Sequence, residues 1–296
     1  MIENNILVTI AIPIYNAEAY LSYAIQSVIN QTYTNWELLL MCDGSSDQST
    51  SIAVAYAEND SRIKVVDDGI NRGLIYRLNQ SIAMAKGKYY ARMDADDIMV
   101  VSRIAEQVEF LNVNPEVDVC GTSIMTIDNE NRIVGSGFNE GKVNRFIHPT
   151  VMGRISWFKS NPYADWALRA EDFELWTRTA ATSKFHALGK PLLFYREFGV
   201  PTFQKYLFTQ CTLLKIFFRY KHYSRPFSWY ISNTIKTFCK IIVYALFAIV
   251  DRLDYLVSRR KRKPLPAKLW LTENDLGKAI NKNSRDHKDI KKDKNL

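Results

Sequence analysis

An α/β fold on a mostly parallel sheet is what this sequence predicts, and three observations predict it. Short apolar runs alternate with stretches of helical periodicity through residues 8–97, the links between them are short, and acidic residues gather just after the runs. Strand and helix alternating with short links argue for a parallel sheet with right-handed crossovers. Such sheets bind ligands outside the carboxyl ends of their strands. A hydrophobic fraction of 47% over 296 residues supports a sizeable core, as one large domain or a domain with an appendage.

The first strand is read in Val8 to Pro13, an apolar run suited to a sheet covered on both faces. Pro13 ends it, since proline cannot donate into a ladder. Asn16 can then cap a helix whose apolar positions, Tyr20, Leu21, Ala24, Ile25, Val28 and Ile29, share one stripe. A second strand, Trp36 to Cys42, stops at Asp43-Gly-Ser-Ser-Asp47, whose residues suit a turn and a helix cap. A weaker helix through Ile52, Ala53, Tyr56 and Ala57 and a strand Ile63 to Val66 follow. Beyond the loop containing Asn71-Arg-Gly73, Leu74, Leu78, Ile82 and Ala85 mark another helix face.

Lys88 to Asp97 comes next, a buried strand that runs directly into three carboxylates, Asp94, Asp96 and Asp97. Carboxylates that close repel one another unless a cation sits among them. Mg²⁺ and Mn²⁺ take oxygen ligands and often join carboxylates to a substrate phosphate, so the Asp-x-Asp suggests a site for a metal-bound diphosphate. A solvated turn capping the helix that begins near Ser102 would account for the same residues. Tyr15, Asp43, Arg72 and Asp94 all fall at or after strand ends and are expected on one rim, which favours the ligand site.

The later chain gives a helix through Ile104, Val108 and Leu111, a strand Val117 to Gly121, a polar hairpin Thr122 to Val134, and the segment His148-Pro-Thr-Val-Met152. A helix at Ala170 to Arg178 opens on the adjacent carboxylates Glu171 and Asp172, which a helix N-terminus stabilises. Glu174 and Arg178 fit an i, i+4 surface pair, Asp47 a helix cap, and Arg72 an ion pair with Asp67 or Asp68. Leu192 to Tyr195 reads as a last strand.

From Phe203 the composition changes to aromatics and branched aliphatics interspersed with Lys and Arg. Residues 1–200 hold 18 Lys/Arg against 24 Asp/Glu, a balance of −6, and residues 201–296 hold 21 against 7, a balance of +14. An anionic partner for this end follows. Ile241 to Val250 spans only about 15 Å as helix, half a bilayer core, and Lys236 and Lys240 interrupt any longer run. Helices lying in the interface plane, with the basic flank Arg259 to Lys263 against anionic lipid, fit this pattern; a helical pair packed back on the body is the alternative. No nucleic-acid-binding motif accompanies the charge, so nucleic acid is not expected. Residues 264–296 are expected to be a basic, largely disordered tail. Met1 to Asn5 carries no signal-peptide features, so the chain is expected to start in the cytoplasm, and Cys42, Cys120, Cys211 and Cys239 read as reduced core thiols.

Six segments, Ile10 to Asn16, Asn30 to Tyr33, Asp43 to Asp47, Asn71 to Gly73, Met93 to Asp97 and Ala170 to Trp176, appear in an order that resembles the family 2 glycosyltransferases, above all bacterial enzymes of O-antigen and capsule repeat units. The resemblance covers roughly residues 6–200, so residues 1–200 are expected as a catalytic domain and 201–263 as a helical membrane-associating segment. It implies the GT-A fold, a Rossmann-like nucleotide-binding α/β sheet with flanking helices. It implies an inverting transfer of a hexose from a nucleotide sugar, a UDP-sugar by expectation, with Mn²⁺ or Mg²⁺. The acceptor implied is a lipid-diphosphate-linked sugar at the cytoplasmic face of the inner membrane. Pro13, Tyr15, Asp43 and Arg72 would hold the nucleotide, Asp94 and Asp96 the ribose and the metal-bound diphosphate. Asp172 would be the general base, with Glu171 beside it, and His148 a contact to acceptor or metal unless it is a buried structural residue. A silent membrane scaffold would have no use for clustered carboxylates, and a nucleotidyltransferase would need a Gly-rich, lysine-bearing loop that does not follow the first strand.

Overall fold

The computed structural model describes residues 6–137, 146–197, 202–221, 226–260 and 271–281. Its first half follows the expected alternation: β1 (Val8–Ile14), α1 (Leu21–Ile29), β2 (Trp36–Cys42), α2 (Ser49–Asn59), β3 (Ile63–Val66), α3 (Leu74–Met84) and β4 (Tyr89–Arg92). β1 pairs with β2 and β4, and β2 with β3, all in parallel. β1 is thus central, and its residues Val8 to Ile12 are fully buried, as a strand covered by helices on both faces requires.

β1 continues one residue beyond Pro13, which keeps its register opposite Met41. The reason lies in the partner strands. Ala11 accepts from Met93 on the β4 side, so Pro13, two residues on, faces the same way. β4 has already left the ladder there, its last pairing being Ala11 with Arg92. The missing N–H therefore has no partner to lose, while Ile14 still accepts from Asp43 on the β2 side.

The second half is mixed. It comprises β5 (Ile98–Met99), α4 (Arg103–Val113), β6 (Val119–Ile127), β7 (Ile133–Gly137), a 3-10 turn (His148–Thr150), β8 (Met152–Arg154), α5 (Ile155–Ser160), α6 (Glu171–Thr179) and β9 (Phe185–Arg196). β8 runs antiparallel between β4 and β6, β6 pairs in parallel with β9, and β5 closes the edge antiparallel to β9. The nine-stranded order is β3-β2-β1-β4-β8-β6-β9-β5, with β7 on β6. The predicted polar hairpin begins later than expected, because β6 stays buried through Ile127 against β9.

Four further helices follow: α7 (Phe203–Arg219), α8 (Phe227–Ile249), α9 (Leu253–Arg260) and α10 (Glu273–Asn281). α8 extends well beyond the expected uncharged run, because Lys236 and Lys240 sit on one of its faces without interrupting it. At 23 residues, about 35 Å, it is long and apolar enough by length and composition to cross a membrane. Residues 271–281, assigned to the disordered tail, instead dock on the body. Leu271, Leu276 and Ala279 are buried against β5, and Asn30 donates to the Ala279 carbonyl at 2.8 Å. The rest of the 264–296 tail and residues 261–263 of the basic flank lie outside the described residues.

Three smaller expectations change. Asn16 does not cap α1; it takes a left-handed conformation, φ 49°, and accepts from the Ser46 backbone N–H at 2.9 Å, tying the β1 end to the β2 end. Of the cysteines, Cys42 and Cys120 are buried thiols, whereas Cys211 and Cys239 lie on exposed helix faces. Glu174 is fully buried: it pairs with Arg178 at 2.8 Å and also accepts from the Tyr220 hydroxyl, which links α6 to α7.

Candidate active site

The carboxyl ends of β1, β2 and β4 open onto a cavity of about 720 Å³ whose walls include Pro13, Tyr15, Asp43, Asp94 and Asp96. Asp43 is held with unusual firmness. Its carboxylate accepts from the backbone of Arg72 at 2.8 Å, from Gly73 at 3.0 Å and from the Arg77 guanidinium at 2.9 Å. Glycine is needed twice to build this cradle. Gly73 has φ 87°, a conformation that L side chains rarely adopt, and Gly44, at φ 65°, passes so close to Asn71 that a Cβ would lie 2.7 Å from its nitrogen.

Arg77 is fully buried between Asp43 and Asp68 and lines this cavity. Arg72 turns its side chain elsewhere: its Nε lies 2.6 Å from Asp68 and its guanidinium stands over the Tyr76 ring. Of the two pairings read for Arg72, the one with Asp68 is formed. Hydrogen bonds from Arg77 and then Arg72 hold the Asp68 carboxyl far below the usual range. Arg77 was absent from the sequence reading, although a charge amid the apolar positions of an amphipathic helix was its signal. Asp47 accepts from Ser49 at 3.0 Å at the start of α2, as a cap would, and from the Glu18 backbone.

Asp94, Asp96 and Asp97 bring one oxygen each within 4.8 Å of one another. Asp94 accepts from Arg92 Nε at 3.1 Å and Nη2 at 3.0 Å. Burial, then the Asp94 charge, pushes Asp96 up to about 6. Asp97 is nearly inaccessible and raised well above its usual value by burial and by its two neighbours. One Asp97 oxygen accepts from the Arg196 backbone at 2.9 Å; the other is buried without a hydrogen-bond partner. Three converging carboxylates with an unsatisfied oxygen are the donor set a hard divalent cation takes. Arg196, at the end of β9, also donates to the Asp96 carbonyl and to the Asp128 carbonyl of the β6–β7 turn, so this distant hairpin fixes the acidic loop.

A second cavity, of about 940 Å³, adjoins the first; Arg92 and Asp94 line both. His148, Glu171 and Asp172 stand on its walls. His148 is buried: its Nε2 lies 2.9 Å from the Tyr163 hydroxyl, its ring touches Arg92, and Nδ1 is 3.8 Å from Glu171 and 3.9 Å from Asp172. Burial first, and the Arg92 charge second, hold its pKa well below the usual value, so the ring is neutral near pH 7. Trp176, in an aromatic cluster with Phe146, Trp157 and Phe185, stacks edge-on against the ring from behind.

Glu171 and Asp172 occupy the first turn of α6. Both are raised, chiefly by burial; the Asp172 charge adds to this at Glu171, whereas the Phe173 N–H and Arg92 pull Asp172 back. Asp172 keeps a third of its side chain exposed, against a tenth for Glu171, so Asp172 is the one a ligand can reach. The site therefore draws together Pro13, Tyr15, Asp43, Asp94, Asp96, His148, Glu171 and Asp172, and turns the Arg72 side chain to Asp68.

This is a nucleotide-binding type of α/β sheet with a metal-competent acidic loop and a basic-acidic cavity beside it. Residues 9–174 match the family described as Glycosyl transferase family 2. An uncharacterized glycosyltransferase of Haemophilus influenzae is 31% identical over 224 residues, 69% of each chain. The UDP-Glc:alpha-D-GlcNAc-diphosphoundecaprenol beta-1,3-glucosyltransferase WfgD of Escherichia coli is 32% identical over 176 residues, covering 57% of this chain and 68% of WfgD. Among solved structures, S. aureus TarS 1-349 with UDP-GlcNAc superposes with TM-score 0.62 at 16% identity, over 78% of this chain and 71% of TarS. The mannosyltransferase PcManGT of Pyrobaculum calidifontis, with GDP-Man and Mn²⁺, gives 0.57 at 17% identity, over 95% and 87%. The chain belongs to glycosyltransferase family 2, has the GT-A fold and is a glycosyltransferase.

Proposed function

We propose that the protein transfers a hexose, with inversion, from a UDP-sugar to a lipid-diphosphate-linked sugar during assembly of a surface polysaccharide such as O-antigen or capsule. The observation that carries this reading is the meeting of two cavities at Arg92 and Asp94, one lined by the Asp43 cradle and the other by Asp172. A donor in the first and an acceptor in the second would react where they join. The similarity to WfgD, whose name states a diphosphoundecaprenol-linked acceptor, supports the acceptor class.

In this reading Pro13, Tyr15 and Asp43 hold the nucleobase, and Asp94 orients the ribose. Asp94 and Asp96, with Asp97 behind them, would hold Mn²⁺ or Mg²⁺, which neutralises charge on the departing diphosphate. Asp172 removes the proton of the acceptor hydroxyl as that oxygen attacks the anomeric carbon from the face opposite the diphosphate. Glu171, His148 and Arg92 hold Asp172 in place, and neutral His148 accepts from Arg92 without adding charge. The test is a donor screen: UDP-glucose, UDP-galactose, UDP-N-acetylglucosamine and GDP-mannose with Mn²⁺ and a synthetic sugar-diphosphate-lipid. Transfer from one UDP-sugar, lost on chelation and restored by Mn²⁺, is expected. Turnover unaffected by chelator would remove the metal, and transfer from GDP-mannose alone would remove the uridine.

The protein is proposed to work bound to the surface of the cytoplasmic membrane. α8 buries Tyr230, Thr237 and Tyr244 against α7, with the Tyr244 and Tyr206 rings stacked at 3.7 Å. Phe227, Ile231, Ile235, Phe238, Ile242 and Leu246, spaced three and four apart, stay exposed on another face. One packed face and one bare apolar face suit a helix lying in the interface plane. Alkaline carbonate should therefore release the protein from membranes; retention in the pellet would mean that α8 spans the bilayer.

A further inference from the structure

We infer that a third cavity, of about 690 Å³ between α6, α7 and α8, seats the diphosphate of the acceptor lipid, with Lys236 and Lys240 as its principal ligands. This rests on the lipid-linked acceptor proposed above and assigns it a place. Arg169 and Asp172 line this cavity as well as the 940 Å³ one, so a molecule lying in it has one end at the proposed base. The cavity walls carry three cations, Arg169, Lys236 and Lys240, against the single carboxylate of Asp172.

The two lysines lie four residues apart, hence on one face of α8 and about 6 Å apart at Cβ. Among the described residues no carboxylate lies within 4.0 Å of either, although ten other Lys and Arg side chains have such a partner. Two exposed, unpaired ammonium groups turned into a cavity beside a catalytic carboxylate match an anion of two adjacent phosphates.

The surroundings select a lipid as the bearer of those phosphates. Phe217 lines the cavity and also an apolar groove of about 420 Å³ between α7 and α8, which Phe218, Phe227, Ile231, Ile235 and Phe238 help to form. On a helical projection the lysine face lies nearly opposite the bare apolar stripe of α8. With that stripe on the bilayer, the lysines face the body at headgroup height. The acceptor would then lie with its chain in the α7–α8 groove, its diphosphate on Lys236 and Lys240, and its sugar at Asp172.

The experiment measures binding of farnesyl diphosphate to the full-length protein through fluorescence of Trp176 and Trp229, both in the cavity wall. Wild type, Lys236→Gln/Lys240→Gln and Lys236→Arg/Lys240→Arg are compared, with UDP binding as the control for folding. Affinity should fall about tenfold or more for each lysine replaced by glutamine. The arginine variant should recover it, and UDP binding should be the same in all three. Equal farnesyl diphosphate affinity in wild type and the glutamine variant would overturn the site. Inorganic pyrophosphate binding as tightly as farnesyl diphosphate would overturn the lipid. Lysine-dependent binding without transfer to any sugar-diphosphate-lipid would leave the site standing and remove the transfer reading instead.

Discussion

Asp172→Asn is expected to lower kcat by about 10²–10⁴-fold, the usual contribution of a positioned general base, while leaving UDP binding and thermal stability near those of wild type. Asparagine keeps the shape of the side chain and can still accept from the Phe173 N–H, a bond now 2.6 Å long. What it loses is the negative charge and the ability to take a proton. Glu171→Gln should cost less in kcat, because the Glu171 side chain is only 9% exposed against 34% for Asp172 and has less access to a ligand. The pH dependence follows from burial. A base works only when ionised, and burial raises Asp172 above the ordinary carboxylate value of about 3.9. Wild-type kcat/KM should therefore fall on acidification at a pH above that value, and the residual activity of Asp172→Asn should lack this limb. An unchanged limb in the variant would assign it to another group.

The sequence made the parallel half of the sheet legible because each of its strands is an apolar run followed at once by turn chemistry. Asp43, Asp94 and Asp172 could be found for the same reason: they stand where a strand ends or a helix begins. The second half was harder. β8 is three residues long and β5 two, too short for any periodicity, and β6 passes through Thr122 and Ser123, which read as polar hairpin although both are buried. The basic scaffolding of the site was missed altogether. Arg77, Arg92, Arg103 and Arg196 are all buried, and each also bonds to a residue distant in the chain, a pairing that sequence spacing does not reveal. Arg103, for example, donates to the Arg92 carbonyl at 2.9 Å, and burial alone brings its pKa down to about 10. α10 was lost to composition: its short sequence is polar apart from Leu276, Ala279 and Ile280, which are the residues that dock.

Arg92→Leu should be the most damaging single change to stability, at about 3–5 kcal/mol, because it strands buried charge instead of removing it. Arg92 is almost inaccessible, donates twice to Asp94 and touches His148. Burial opposes its charge, yet Asp94, Tyr163, Glu171 and Asp172 together outweigh burial and raise its pKa. That balance shows what the guanidinium does: it is the counter-charge for the carboxylates of both cavities. Leucine would leave Asp94, Glu171 and Asp172 facing one another across a partly dry space. At about 2–4 °C per kcal/mol for a body of this size, the melting temperature should drop by roughly 10 °C. The loss should also be pH-dependent. Without Arg92 the Glu171 and Asp172 carboxyls rise further, and a raised carboxyl contributes most when protonated, so the deficit should shrink as pH falls towards the ordinary carboxylate range. Arg92→Lys separates charge from geometry: it should recover most of the stability but not the paired contact to Asp94. A deficit that is the same at pH 5 and pH 8 would mean that Arg92 acts by packing rather than by charge.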